Sequence, residues 1–210
     1  MQSRALNYLV LACLFSGAFV APKINASGPL AGIACLKAKA GYAACIADGM
    51  AVQICLLADK GYPDCRKYQS PQECIKAKPK YGDCHALGWS HRDCLIADTG
   101  YLDCQKGGYN HDSCLNVKGG YLACRAAGYQ HLACLAADRG YGDCRGEGWN
   151  HRLCLIARSG YKYCRDVDHL APNICANVGK GYVDCRKAGF AYAICQKADE
   201  GFGICNSPAT

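Results

Sequence analysis

Eighteen cysteines fall on a fixed rhythm, and that rhythm limits the fold more than any other feature of the chain. The stretches Cys35–Cys45, Cys55–Cys65, Cys74–Cys84, Cys94–Cys104, Cys114–Cys124, Cys134–Cys144, Cys154–Cys164, Cys175–Cys185 and Cys195–Cys205 each enclose nine residues. An aromatic stands three before the second cysteine in every copy, Tyr in eight and Phe202 in the last. Gly precedes it in eight; Lys80 is the exception. Self-similarity with a period of about twenty residues marks a repeat array. The connectors are less constant: six of eight hold nine residues, Cys65 to Cys74 holds eight, and Cys164 to Cys175 holds ten.

The nineteenth cysteine, Cys13, lies in MQSRALNYLVLACLFSGAFVAPKINA, which has a short basic front, an apolar stretch from Leu9 to Ala21 and a small-residue cleavage site after Ala26. This is the pattern of a secretory signal peptide, with a lipobox around Cys13 as the rival reading. Its removal leaves an even number of cysteines and lowers the formal charge from +7 to +5. Export with an even count favours disulfides in an oxidising compartment, secreted, extracellular or periplasmic. Acids and bases are interleaved, without the basic stripe of a nucleic-acid protein. No second apolar stretch suggests a membrane span. The expected organisation is a signal peptide over 1–26, a lead-in over 27–34, nine repeats over 35–205 and a tail over 206–210.

About 3 × 10⁷ pairings of eighteen cysteines exist. A closed covalent loop tolerates length change poorly, so the constant interval suggests that each copy closes its own bridge: Cys35–Cys45, Cys55–Cys65, Cys74–Cys84, Cys94–Cys104, Cys114–Cys124, Cys134–Cys144, Cys154–Cys164, Cys175–Cys185 and Cys195–Cys205. Bridges between neighbouring units are the competing arrangement.

Within a unit such as HLACLAADRGY, helix formers run to a Gly followed by an aromatic, the signature of a left-handed helix stop with an apolar residue packing back. The same signal recurs at Gly88-Trp89, Gly108-Tyr109, Gly128-Tyr129, Gly148-Trp149 and Gly189-Phe190. Stops every ten residues leave helices of about two turns, too short to persist alone. The stretch Leu122–Tyr141, LACRAAGYQHLACLAADRGY, resembles the helix–turn–helix part of ankyrin-type repeats, without their hairpin or their Thr-Pro-Leu-His start. In its logic of short helices tied by cysteines the chain is similar to disulfide-stapled Sel1-like repeat proteins, whose repeats are longer. The resemblance implies an all-α solenoid of stacked helix pairs that presents a surface to partners.

Several rows emerge when the units are aligned. His91, His111, His131 and His151 each stand three before a cysteine, on one helical face. They are candidates for metal binding with that cysteine, for a pH-tuned surface, or for a plain packing role. Trp89, Tyr109, Tyr129, Trp149 and Phe190 form an aromatic row beside them, a candidate strip for sugar or peptide. The row from Tyr42 to Phe202 reads as packing behind each Gly. Asp64, Asp83, Asp103, Asp143 and Asp184 precede the second cysteine; Arg66, Arg125, Arg145, Arg165 and Arg186 follow it. These charges suggest solvated ion pairs or, for the arginines, a grip on an anionic surface. Pro71, Pro79 and Pro172 break the rhythm and mark places for a localised contact.

No asymmetric catalytic constellation stands out, so the chain reads as a non-enzyme with no cofactor and no metal. The leading expectation is an exported repeat scaffold for protein–protein or surface-glycan interaction. The alternative is a structural protein whose apolar ends associate head to tail as a homo-oligomer or fibre. A metal-binding thiol protein comes third.

Overall fold

The computed structural model describes residues 29–207. The signal-peptide segment 1–26 and its Cys13 lie outside the described residues, as do the first two lead-in residues and 208–210. Eighteen short helices and no strand occur among the described residues. They alternate between two kinds. One kind ends on a cysteine, as in His111–Cys114, His131–Cys134 and Tyr192–Cys195. The other starts at or just before the repeated aromatic, as in Tyr121–Ala126, Lys180–Lys187 and Phe202–Cys205.

Local chemistry explains both kinds. Ser90, Asn110 and Asn150 precede cysteine-ending helices, and each accepts a hydrogen bond from the backbone N–H three residues on, at 3.2, 2.9 and 2.9 Å, which satisfies an otherwise orphan donor. Pro71 and Pro172 occupy the first helical position, where a missing N–H costs nothing. The tyrosine-starting helices stop at the connector glycines, and Gly49, Gly88, Gly108, Gly128, Gly148 and Gly189 have φ between 76° and 87°. The left-handed stop expected at these positions is therefore present. It is absent from the Gly-Tyr pairs: Gly61, Gly100 and Gly140 have φ of −78°, −90° and −82° and start helices instead of ending them.

The glycine before each tyrosine serves a close approach. A Cβ on Gly140 would stand 2.2 Å from the Arg158 carbonyl oxygen, and one on Gly120 would stand 2.0 Å from that of Asp138. Here the backbones of successive units touch. Gly140 N–H donates to the Ala157 carbonyl at 2.8 Å, and Asp138 N–H donates to that of Leu155 at 3.2 Å. This pair of bonds recurs at seven consecutive junctions, from Lys39–Leu56 and Gly41–Ala58 to Arg158–Ala176 and Gly160–Val178. Lys80 replaces Gly with φ −106° and still donates to Ala97 at 3.0 Å.

The same bonds join the last unit to the first. Asp199 N–H donates to the Leu36 carbonyl and Gly201 N–H to that of Ala38, both at 2.7 Å. Helix Phe202–Cys205 packs on Pro29–Cys35 and on Tyr42–Ala47. Phe190 lies edge-on to Phe202 at 5.9 Å, and a Cβ on Gly32 would collide with the Phe190 ring. The array is thus a closed circuit of nine units. The apolar stretches expected as open ends, around 43–54 and 190–204, belong to units joined to one another by this seam, while Ile46, Ile54, Tyr192, Ile194 and Ile204 within them stay exposed.

The disulfides correct the expected pairing at every position. They are Cys45–Cys55, Cys65–Cys74, Cys84–Cys94, Cys104–Cys114, Cys124–Cys134, Cys144–Cys154, Cys164–Cys175 and Cys185–Cys195, with Cys35 bonded to Cys205. None of the bridges Cys35–Cys45, Cys55–Cys65, Cys74–Cys84, Cys94–Cys104, Cys114–Cys124, Cys134–Cys144, Cys154–Cys164, Cys175–Cys185 or Cys195–Cys205 forms. Each real bridge ties a tyrosine-starting helix to the cysteine-ending helix beyond its connector, so the variable segment is the one inside the loop. A bridge needs only its own two Cα atoms close, 5.3 to 5.5 Å here, and a surface connector can bulge between them. The constant interval instead spans two junctions, where backbone register and packing leave no slack. Nine intrachain bridges point to an oxidising environment, extracellular or periplasmic.

The core is a set of rings, one residue per unit. The described cysteines from Cys45 to Cys195 are fully buried. So is a small-residue ring at the third position after each first cysteine, Ala58, Ala77, Ala97, Val117, Ala137, Ala157 and Val178, and so are six of the repeated tyrosines. Small side chains there let neighbouring backbones meet, and the tyrosines fill the space between adjacent tyrosine-starting helices. Among the described residues no helix is long and apolar enough to cross a membrane.

Candidate functional site

Each buried tyrosine carries a hydroxyl that must find a partner, and the chain supplies one in two ways. Tyr81, Tyr101, Tyr121 and Tyr141 meet Nδ1 of His91, His111, His131 and His151 at 2.8 to 2.9 Å. Burial pushes these phenols up from their ordinary range. They therefore stay protonated, and each hydroxyl is held by hydrogen bonding to an imidazole nitrogen. Where no histidine follows, an acid from the preceding connector accepts instead: Asp48 from Tyr62 at 2.7 Å, Glu147 from Tyr161 at 3.2 Å, and Asp168 from Tyr182. Burial, and then the adjacent carboxylate, raise Tyr62 and Tyr161 to about 12.

The histidine column is also the backing of the aromatic row. Trp89 stacks on His111, Tyr109 on His131 and Tyr129 on His151, with ring centroids 3.6 to 3.7 Å apart and planes within 15°. His111 and His131 are buried, with Nε2 unbonded among the described residues. They lie behind the aromatic rings of the row. Burial, with the nearby Arg125 charge, holds His131 below its ordinary pKa. Trp89 and Trp149, at the two ends of the row, remain 42% and 38% exposed, and Tyr109 and Tyr129 are half-buried between them. Trp149 is anchored by an Nε1–H bond to Glu147 at 3.0 Å. Metal ligation by histidine with cysteine is not supported by this arrangement. All eighteen described cysteines are in bridges, and no cluster of three or more His, Cys, Asp or Glu ligands occurs among the described residues.

The arginine row is engaged internally. The Nη1 groups of Arg66, Arg125, Arg145, Arg165 and Arg186 donate to the carbonyls of Gln69, Tyr129, Trp149, Leu170 and Phe190, closing each connector. Arg66, Arg165 and Arg186 also pair with Asp48, Glu147 and Asp168 of the preceding connector at 2.7, 2.9 and 2.7 Å. The Asp row takes little part: Asp64 and Asp83 pair with Lys67 and Lys80. Hydrogen bonds from Tyr62 and Arg66 hold Asp48 below the usual carboxylate range. For Glu147, burial raises the carboxyl, but bonds from Arg165, Trp149 and Tyr161 outweigh it and the net shift is downward.

A second concavity was not anticipated. Residues from all nine units surround a cavity of about 520 Å³ on the axis of the circuit. Eight of its lining residues stand four after a first cysteine: Lys39, Asp59, Lys78, Asp98, Lys118, Asp138, Arg158 and Asp199; in the remaining unit that register holds Gly179. The charges alternate round the ring. Asp59 pairs with Lys39 and Lys78 at 3.8 and 3.2 Å, and Asp138 with Lys118 at 4.0 Å. Arg139 reaches across to Glu200, three units away, at 3.6 Å. The signal was present in the sequence as a sign change every twenty residues. It acquires meaning only once the units close into a ring. Compared with known proteins, the chain matches no family model, no curated sequence and no solved structure.

Proposed function

We propose that the protein is an exported binding scaffold, a solenoid bent shut into a ring, that engages a protein or glycan surface outside the cytosol through the strip Trp89–Tyr109–Tyr129–Trp149. The observation that carries this reading is the stacked backing of the strip. Trp89, Tyr109 and Tyr129, stacked on imidazoles, and Trp149, tied to Glu147, lose little freedom on binding, and such preorganisation favours affinity. Flat, partly exposed rings in a row suit the apolar faces of sugar rings, and they suit peptide side chains equally.

The chain has two tryptophans, and both lie on the strip. Tryptophan fluorescence, excited selectively over the fourteen tyrosines, therefore reports on the strip. Titration with soluble cell-wall and capsular oligosaccharides, and separately with extracellular protein fractions resolved by cross-linking, should give a saturable Trp signal for one class. Trp89→Ala with Trp149→Ala should weaken capture about ten-fold or more with unchanged circular dichroism. Capture that is indifferent to the double substitution would overturn the assignment.

A further inference from the structure

An alternating ring of charges closes without a mismatch only when its membership is even, and this ring has nine members. The mismatch falls at Gly179. Arg158 stands on one side of it and Asp199 on the other, so a cation and an anion flank a position without a side chain. The Arg158 guanidinium leans over that position, with its carbon 3.5 Å from where a Cβ on Gly179 would be. Lys39, Asp59, Lys78, Lys118 and Asp138 all have ion-pair partners. Among the described residues, Asp98, Arg158 and Asp199 have none, but Asp98 accepts from the Thr99 N–H and hydroxyl instead, which leaves Arg158 and Asp199. Asp199 is half-buried, and burial holds its carboxyl above the ordinary range despite the pull of Arg158 and Lys39. A half-buried carboxylate in that state gains from an added cation.

We propose that the gap over Gly179 is a binding site for a small zwitterion, a molecule with an ammonium and a carboxylate a few atoms apart, as in a free amino acid. The carboxylate sits on Arg158, where a guanidinium offers paired donors, and the ammonium sits on Asp199. Ser159 and Asn177, at the cavity wall between them in sequence, supply neutral hydrogen-bonding groups. The charge balance of the wall selects this class: five cationic and five anionic side chains line the cavity. A polyanion or polycation would meet as much repulsion as attraction. The volume of about 520 Å³ lies within the range of small-ligand sites. This site is separate from the aromatic strip and stands or falls independently of it.

Isothermal titration at low salt with L-alanine and glycylglycine tests the proposal. Acetate and ethylamine serve as half-ligands, and citrate and spermidine as single-sign controls. A zwitterion should saturate the site at least about ten-fold more tightly than either half-ligand, and Arg158→Gln and Asp199→Asn should each weaken it by about ten-fold. Gly179→Lys should abolish binding by filling the position with an ammonium that pairs with Asp199 in place of the ligand's. Its position has φ −91° and only ordinary contacts for a side chain, so the melting profile should be retained. No saturation by either zwitterion at about 10 mM, a concentration that corresponds to little more than 2–3 kcal/mol of binding, would overturn the proposal. So would wild-type binding by Gly179→Lys, or tighter binding of citrate or spermidine. The Trp89 and Trp149 fluorescence assay reports on neither outcome.

Discussion

At the scale of single residues, two kinds of glycine with the same local sequence look have opposite jobs. Gly148 bends a helix end with φ 84°, whereas Gly140 has φ −82° and is small because Arg158 and Ala157 lie against it. Both precede an aromatic, so the sequence could not separate a conformational requirement from a steric one that depends on the next unit. Gly140→Ala should therefore cost about 3 kcal/mol or more, the scale of overpacking. Gly142→Ala, whose Cβ would meet only Ala123 at 3.6 Å, should stay within about 0.5–1 kcal/mol; urea midpoints of the two variants distinguish the cases. His131 gives a pH dependence of definite sign. It faces the Tyr121 hydroxyl, the Tyr109 ring and the Arg125 charge, and its folded pKa is lowered. The unfolded chain then binds more protons near pH 6, so stability is full above the ordinary histidine pKa of about 6.5 and falls as pH drops through it toward the folded value. Between pH 7.5 and 5.5 the urea midpoint of the wild type should decline more than that of His131→Gln, and equal declines would contradict this account.

At the scale of helices, the repeat and its length rules are legible, and so are the helical class and the connector stops. The covalent unit is not, because a constant interval reads as the mark of a closed bridge although here it belongs to the junction. Backbone pairs such as Asp138–Leu155 and Gly140–Ala157 fix two points in each interval, and an added residue would break both. The connector Arg165–Ile174 carries its extra residue inside the Cys164–Cys175 loop, with His169 at φ 52° taking up the bulge. The alignment of Trp89, Tyr109, Tyr129 and Trp149 in a row, with histidines beside it, is legible in the sequence. The support role of the histidines depends on stacking between successive connectors, such as Tyr109 on His131, that no single unit displays. Non-reducing peptide mapping offers a direct check. Proteolysis should yield Cys124 linked to Cys134 and Cys144 linked to Cys154, and no peptide linking Cys134 to Cys144. Recovery of that last species as the main product would reverse the unit assignment and the junction argument with it.

At the scale of the whole molecule, the ninth hairpin is built from both chain ends. Pro29–Cys35 supplies its cysteine-ending helix and Phe202–Cys205 its tyrosine-type helix, and their bridge has a Cα separation of 5.5 Å despite a sequence separation of 170. In the chain-entropy model a ten-residue loop is worth about 3 kcal/mol and a 170-residue loop about 5, so this one bridge restrains the unfolded chain most. Cys35→Ser with Cys205→Ser should lower the melting temperature more than loss of any internal bridge, and hydrogen exchange should rise first at Asp199 and Gly201. Because each hairpin is locally equivalent, the position of the chain break should be exchangeable. The described residues between Cys205 and Cys35 number eight, 206–207 and 29–34, and connectors elsewhere hold eight to ten. Joining 207 to 29 through one added glycine gives a nine-residue connector, and reopening the chain between Gly107 and Gly108 places the new ends in an exposed one. In this permutant Cys104–Cys114 becomes the long-range bridge and Cys35–Cys205 a local one. The permutant should show nine bridges by mass, the wild-type circular dichroism and a melting temperature within a few degrees, since the permuted chain gives up only the turn at Gly107–Gly108 and exchanges one closure for another. A permutant that scrambles its disulfides or stays unfolded would show that the seam between first and last units differs in kind from the seven junctions that carry the same pair of backbone bonds.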